Sequence, residues 1–271
     1  QDHYPMAPLP VLCDLAGVVG LAHEPIPGSV AAIAALRGAG HRVLFVTNNS
    51  SATVAEQEAA LASIGIPARG DVVTSAMAGA SLVGPGESVL VCGGAGVIEA
   101  VSSVGARVVG HDEYESNPSG VDVVMVGFHR NFDYEIMRRA AHAVRAGARL
   151  VGTNDDATYP TPAGPIPGGG SILAAIATAS GTAPIIAGKP HAPMGDVVRA
   201  VLGGWSPDAL MVGDRPSTDG LFAQTIGCRY ALVRSGVTPR GEVPESGGGL
   251  RVDIDADDLA AVARRIGVSV P

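Results

Sequence analysis

An α/β fold built on a doubly wound, mainly parallel sheet is predicted by three observations. Strand-like and helix-like segments alternate along the chain, the pattern of parallel strands joined by helical crossovers. Hydrophobic residues make up 46% of the sequence but aromatics only 4%, so Val, Ile, Leu and Ala must build the core. That suits strands covered by helices on both faces better than an aromatic-rich β-sandwich. Finally, 271 residues exceed a usual single-domain length, which favours two domains or a core with a large insertion.

Gln1–Pro5 read as an appended remnant before a native start at Met6 and stay outside the fold argument. Val11–Asp14 is the first apolar run. Ser29–Leu36 is helical in spacing and is ended by Gly38 and Gly40. Arg42–Val46 gives the next strand, closing on Thr47-Asn48-Asn49-Ser50-Ser51. Thr53 with Glu56 is a capping box opening a helix that Gly65 and Pro67 terminate. Strands follow near Ser88–Cys92, Val121–Val126 and Leu150–Thr153, with helices near Gly96–Val104 and Tyr134–Ala146. After Lys189 the alternation returns, with a helix near Met194–Leu202 and strands Ala209–Val212 and Tyr230–Val233. Gly247-Gly248-Gly249 reads as a short flexible connection.

The formal charge of −8 and the presence of a single lysine, Lys189, exclude a lysine-built surface for nucleic acid. An acidic protein that handles an anion must create positive potential locally, with a metal, a helix N-terminus or a placed cation. Cys13, Cys92 and Cys228 are far apart and lack CxxC spacing, as expected of reduced thiols in a cytoplasmic protein. No apolar run is long enough to span a bilayer and no charged-then-apolar leader opens the chain.

Ligands of open α/β sheets bind at the carboxyl ends of the strands, and the strand ends here are polar in a related way. The first ends Cys13-Asp14-Leu15-Ala16-Gly17, the second Val46-Thr47-Asn48-Asn49, and a late one Val212-Gly213-Asp214-Arg215, with Thr218-Asp219 following. Gly188-Lys189-Pro190 lies just before a helix. Asp14 and Asp214 supply the carboxylate pair that Mg²⁺ takes alongside phosphate oxygens. A carboxylate can also attack phosphorus, splitting hydrolysis into two steps. The Thr47 hydroxyl, the following backbone N–H groups and the Lys189 ammonium suit phosphoryl oxygens that gain charge.

With these residues in order, the chain resembles the haloacid-dehalogenase superfamily in its p-nitrophenyl phosphatase or NagD-like branch. Asp14-Leu15-Ala16-Gly17-Val18 matches the first motif, Thr47-Asn48-Asn49-Ser50 the second, Gly188-Lys189-Pro190 the third, and Gly213-Asp214-Arg215 with Thr218-Asp219 the fourth. The resemblance implies a catalytic core of residues 6–75 and 188–271 with a Rossmann-like sheet, and an inserted α/β cap of residues 76–187. It makes Asp14 nucleophile and metal ligand, Asp214 the second carboxylate ligand and Asp219 a supporting acid. Thr47, Asn48 and Lys189 become phosphate-binding residues. Asn154, Asp156 and the Gly168-Gly169-Gly170 turn resemble the cap segment that faces the active site. The implied cofactor is Mg²⁺, the implied partner a small phosphorylated metabolite, and dimerisation through the cap is a further implication.

One position departs from the family. Its phosphatases carry a second Asp where this chain has Ala16. That Asp protonates the leaving group and later deprotonates the attacking water, a service typically worth about 10²–10⁴-fold. The Mg²⁺ ligand at this position is a backbone carbonyl, which alanine keeps. The chain is therefore expected to bind metal and phosphate but turn over poorly, through an engineered trap, a natural binding role or a different chemistry. The last would resemble the phosphonoacetaldehyde hydrolases, which have alanine here but need a cap lysine for a Schiff base. Lys189 is the only lysine and fills the third motif, so that reading fails.

A rival function, dinucleotide binding at Cys92-Gly93-Gly94-Ala95-Gly96, lacks its third glycine because Glu99 stands there. No Walker A exists, since Pro190 follows Lys189. His129 and His191 show no metal-ligand spacing and read equally well as solvent-facing loop residues, although His129 ends a cap strand. A non-catalytic phosphometabolite-binding protein on the same fold is the alternative to an enzyme.

Overall fold

The structure, a computed structural model, describes residues 8–21, 24–242 and 249–271. Gln1–Pro5, expected to be an appended remnant, Met6, and Gly247-Gly248 of the expected flexible connection lie outside the described residues.

In chain order the elements are β1 (Val11–Cys13), β2 (Gly20–Leu21), β3 (Glu24–Pro25), α1 (Ser29–Gly38), β4 (Val43–Thr47), α2 (Val54–Ser63), β5 (Val72–Thr74) and α3 (Ser75–Ala80). There follow β6 (Ser88–Cys92), α4 (Ala95–Ser103), β7 (Arg107–Val109), α5 (His111–Ser116), β8 (Val123–Val126), α6 (Tyr134–Arg145) and β9 (Arg149–Gly152). Next come the hairpin β10 (Thr158–Tyr159) and β11 (Ile166–Pro167), then α7 (Gly169–Ser180), β12 (Ile185–Ile186) and α8 (Ala192–Leu202). The chain ends with β13 (Leu210–Gly213), a π-helical turn (Pro216–Gly220), α9 (Leu221–Ile226), β14 (Arg229–Val233), β15 (Ile254–Ala256) and α10 (Leu259–Arg265). The described residues fall into two compact units, one drawn from 1–47, 55–73 and 198–271 and the other from 48–54 and 74–197.

The first unit is organised by a six-stranded sheet of order β15-β14-β13-β1-β4-β5. The β15–β14, β14–β13, β13–β1 and β1–β4 pairings are all parallel. Every residue of β1, β4 and β13 is buried, as continuous apolar strands must be when both faces are covered. The chain winds one way through β1, β4 and β5 and the other way through β13, β14 and β15, so the order reverses between β1 and β13. That reversal is the topological switch point of such sheets. Asp258 caps α10 by accepting the Ala261 N–H at 2.9 Å, satisfying one of the helix's orphan donors.

The second unit has its own five-stranded sheet, β12-β9-β8-β6-β7, with parallel pairings throughout. Side chains alternate across its faces. Leu90, Cys92, Val124, Val126 and Leu150 pack with Ile136, Ala140, Ile172 and Ile176 of α6 and α7. Val89, Val91, Val123, Met125 and Val151 point the other way, onto Ala76, Ala80, Val97 and Val101 of α3 and α4. Asp133 caps α6 through the Ile136 N–H at 2.8 Å.

The Gly168-Gly169-Gly170 stretch differs from expectation. It is the start of a helix and not a free turn, with Gly168 as N-cap and Gly169–Gly170 in the first turn of α7. Glycine is needed because a Cβ on Gly170 would overlap the Asp155 carbonyl.

Candidate active site

The first unit brings three predicted carboxylates together. Cys13 and Val212 are paired in register, so Asp14 and Asp214 emerge from neighbouring strands on either side of the switch point. The Asp14 N–H donates to the Val212 carbonyl at 3.0 Å, prolonging that pairing. The π-helical turn after β13 returns Asp219 to the same place, where its carboxylate accepts the Arg215 N–H at 3.2 Å. Ligand oxygens of Asp14, Asp214 and Asp219 all lie within 4.8 Å of one another.

Electrostatics favours a cation here. Asp214 is buried and its carboxyl pKa is raised, first by burial and then by the negative charge of Asp219; the Val237 N–H at 2.8 Å only partly offsets this. Burial and the three carboxylates also push the Tyr230 phenol up, and its hydroxyl donates to the Gly213 carbonyl at 3.2 Å. An all-oxygen, negatively charged donor set fits Mg²⁺. The backbone is shaped to it. Gly17 has φ +83°, and a Cβ on Gly17 or on Gly236 would overlap the Asp214 carboxylate. Ser235 Oγ donates to the Gly17 carbonyl at 2.7 Å, pinning the loop after Asp14. Ala16 in that loop is exposed and offers no acid–base group. Thr47 closes β4 and is buried.

Asn48, Asn154, Asp156 and Lys189 form a separate network in the second unit. The Asn48 side chain, expected at phosphate, is engaged within the protein. Its Oδ1 accepts the Lys189 N–H at 2.9 Å, and its Nδ2 donates to the Lys189 carbonyl at 3.0 Å and to Asp156 Oδ2 at 3.2 Å. Asn154 Nδ2 donates to the same Asp156 oxygen at 2.9 Å, leaving the buried Asn154 Oδ1 without a partner. Lys189 is only 2% exposed.

The rival motifs resolve. Cβ atoms on Gly94 or Gly96 would strike the carbonyls of Ser50, Ser51 and Ala52, so these glycines admit the protein's own 50–52 segment. His129 is buried, not solvent-facing; its Nδ1–H donates to the Gly127 carbonyl at 2.9 Å and its Nε2 has no partner. His191 lies 3.2 Å from the Asp155 carboxylate. Cys13, Cys92 and Cys228 are free, with thiols pushed up to about 12 chiefly by burial, which makes them poor nucleophiles. Motif reading does not single out Ser235, Gly236 and Val237, although they begin two residues after the end of β14 and a strand end is a signal for a site loop.

Comparison with known proteins identifies the family. The profile described as haloacid dehalogenase-like hydrolase matches residues 11–107, and one described as HAD-hydrolase-like matches residues 186–262. A D-glycerol 3-phosphate phosphatase of Mycobacterium tuberculosis is 39% identical over 84% of this chain, which spans 63% of that protein's length. An acid sugar phosphatase of Staphylococcus saprophyticus is 33% identical, over 86% of this chain and 88% of its own. Among solved structures, a p-nitrophenyl phosphatase from Archaeoglobus fulgidus superposes with a TM-score of 0.86 at 28% identity, covering 94% of this chain and 98% of its own. A glycerol phosphate phosphatase from Mycobacterium tuberculosis in complex with magnesium gives 0.84 at 34% identity, covering 93% and 75%. Motif order, fold and relatives coincide, and this chain belongs to the haloacid dehalogenase-like hydrolases, in their p-nitrophenyl phosphatase and NagD-like branch.

Proposed function

We propose that this chain binds Mg²⁺ and a small phosphoric monoester at the Asp14–Asp214–Asp219 cluster, and hydrolyses the ester slowly through an aspartyl-phosphate on Asp14. The convergence of three carboxylate side chains within 4.8 Å at a sheet's switch point carries the reading. Asp14, Asp214 and the Ala16 carbonyl would hold the ion, with Asp219 in support. When bound, Mg²⁺ neutralises the cluster and polarises a phosphoryl oxygen. Asp14 then attacks phosphorus while the bond to the leaving oxygen breaks, and Thr47 and Lys189 stabilise the charge gathering on the phosphoryl oxygens. The leaving alkoxide needs a proton, and the water that frees Asp14 must lose one. The Ala16 methyl can do neither, so both half-reactions are slow. The named activities of the relatives, on glycerol phosphate and sugar phosphates, support a substrate whose leaving group is a small polyhydroxy alcohol. In this proposal residues 6–75 and 188–271 are the catalytic core and residues 76–187 the cap, although the compact units group 48–54 and 188–197 with the second unit.

Ala16 also favours a second reading, a phosphometabolite-binding protein without turnover. One experiment separates the two: Mg²⁺-dependent hydrolysis of a phosphomonoester panel by the chain and by Ala16→Asp. Slow turnover that rises by about 10² or more in Ala16→Asp, and is abolished by adding Asp14→Asn, supports the enzyme. Saturable phosphate binding with no turnover in either form supports the binding protein. Brisk hydrolysis by the alanine form would overturn the role given to position 16.

A further inference from the structure

We infer that the side chains of Asn48 and Asp156 are positioning groups that fix Lys189, so that the Asn48 amide acts on phosphate through that lysine and not by touching it. The inference rests on the phosphate-binding role proposed for Lys189, and deepens it.

Asn48 has used its hydrogen-bonding groups inside the protein. Its amide oxygen takes the Lys189 N–H and one amide hydrogen goes to the Lys189 carbonyl, so a single side chain grips both backbone polar groups of that residue. The other amide hydrogen goes to Asp156. An amide has two N–H donors, so its nitrogen has none left for a phosphoryl oxygen. The Asn48 backbone is anchored as well, its carbonyl accepting from Ser75 Oγ at 2.9 Å.

Asp156 stands behind the grip. Its Oδ2 accepts from Asn48 and from Asn154, at 3.2 and 2.9 Å. The carboxylate fixes which end of the Asn48 amide faces it, and hence which end faces the Lys189 N–H. Charge-assisted bonds of this kind are stronger than neutral ones. Gly188 is fitted to the same arrangement, because a Cβ there would lie 2.7 Å from Asn48 Oδ1 and overlap the Thr153 carbonyl. A lysine stem is long and flexible. Holding its backbone at both ends, in a residue only 2% exposed, removes freedom that would otherwise be lost each time phosphate binds.

The sequence supplies a clean readout, since Lys189 is the only lysine and an amine-selective acylating reagent can mark one side chain. Lys189 acylation is followed by peptide mass spectrometry in the full chain and in Asn48→Ala, Asp156→Ala and Asp156→Asn, with melting temperatures recorded. Asn48→Ala, which removes three hydrogen bonds, and Asp156→Ala, which removes two, should each accelerate acylation by about tenfold or more. Asp156→Asn keeps an acceptor oxygen and should stay close to the parent. In parallel, the affinity for inorganic phosphate at saturating Mg²⁺ should fall in Asn48→Ala, yet Asn48→Ala should add nothing in a Lys189→Ala background. Unchanged acylation in both alanine variants, or additive losses of phosphate affinity, would overturn the inference. If Lys189→Ala leaves phosphate affinity untouched, the phosphate role of the lysine fails instead, and the acylation arm still decides the grip. Should Asn48→Ala fail to fold, the Asp156 pair and Gly188→Ala, which pushes on the same amide, carry the test.

Discussion

Asp214 is held in an environment that disfavours its own charge. It is buried beside Asp219, and its carboxyl is raised for both reasons, yet its Oδ2 is kept in place by the Val237 N–H. A cation bound there would relieve this repulsion, and by mass action Mg²⁺ at a hundredfold excess over its dissociation constant should stabilise the parent by about 2.7 kcal/mol. Asp214→Ala should remove that Mg²⁺-dependent rise in melting temperature. Gly236→Ala should weaken it, because its Cβ would displace the carboxylate. Undiminished Mg²⁺ stabilisation in Asp214→Ala would sink the metal assignment. Asp14, Asp214 and Asp219 were legible in the sequence because a carboxylate after an apolar strand is a side-chain signal. The grip of Val237 on Asp214 was not, because a backbone N–H leaves no mark on residue type. Asn48 shows the opposite limit: its position was legible, but only the folded chain shows that its amide is spent on Lys189 and Asp156.

At the scale of elements, Glu87 and Arg149 make the exposed link most open to test. Glu87 precedes β6 and Arg149 opens β9, with β8 between the two strands. The guanidinium meets the carboxylate through two bonds of 2.8 Å, and the Gly84 N–H adds a third at 2.7 Å. These bonds, the Arg149 bond first, lower the Glu87 pKa from 4.5 to about 2. A depressed folded-state value contributes stability above the unfolded value and loses it as pH falls through the folded one. Both side chains are partly exposed, so the contribution is set by solvent-screened pairs at about 0.2–1 kcal/mol. Glu87→Gln should therefore melt slightly lower than the parent near neutrality, and the gap should narrow as pH drops below 4.5 towards about 2. A gap that is constant with pH would remove the ion pair as its cause. Most long strands and helices were legible within a residue or two, as Ser88–Cys92 and Tyr134–Arg145 show. The short elements β7, α5 and β10 have too few residues to carry a period. Helix α7 was hidden for a different reason. Its glycines lower helix propensity, and they are there because the backbone of Asp155 and Asp156 crosses too close for side chains.

For the whole molecule, the governing quantity is a formal charge of −8 set against an anionic ligand. Attraction in this scheme comes from groups in direct contact with phosphate, over distances that salt screens little. Repulsion comes from acidic residues spread over the chain, a long-range field that salt screens over a Debye length of about 10 Å at 0.1 M. Raising ionic strength should then remove more repulsion than attraction. Phosphate affinity at fixed, saturating Mg²⁺ should hold constant or tighten by up to about threefold between low and physiological salt. A protein that gathers phosphates on a basic surface does the reverse, losing affinity steadily as salt rises. Calorimetric titration with inorganic phosphate across a potassium chloride series measures the sign directly. Steep weakening would mean that a long-range positive field guides the ligand, and the proposal of a local phosphate site in an otherwise acidic chain would have to be abandoned.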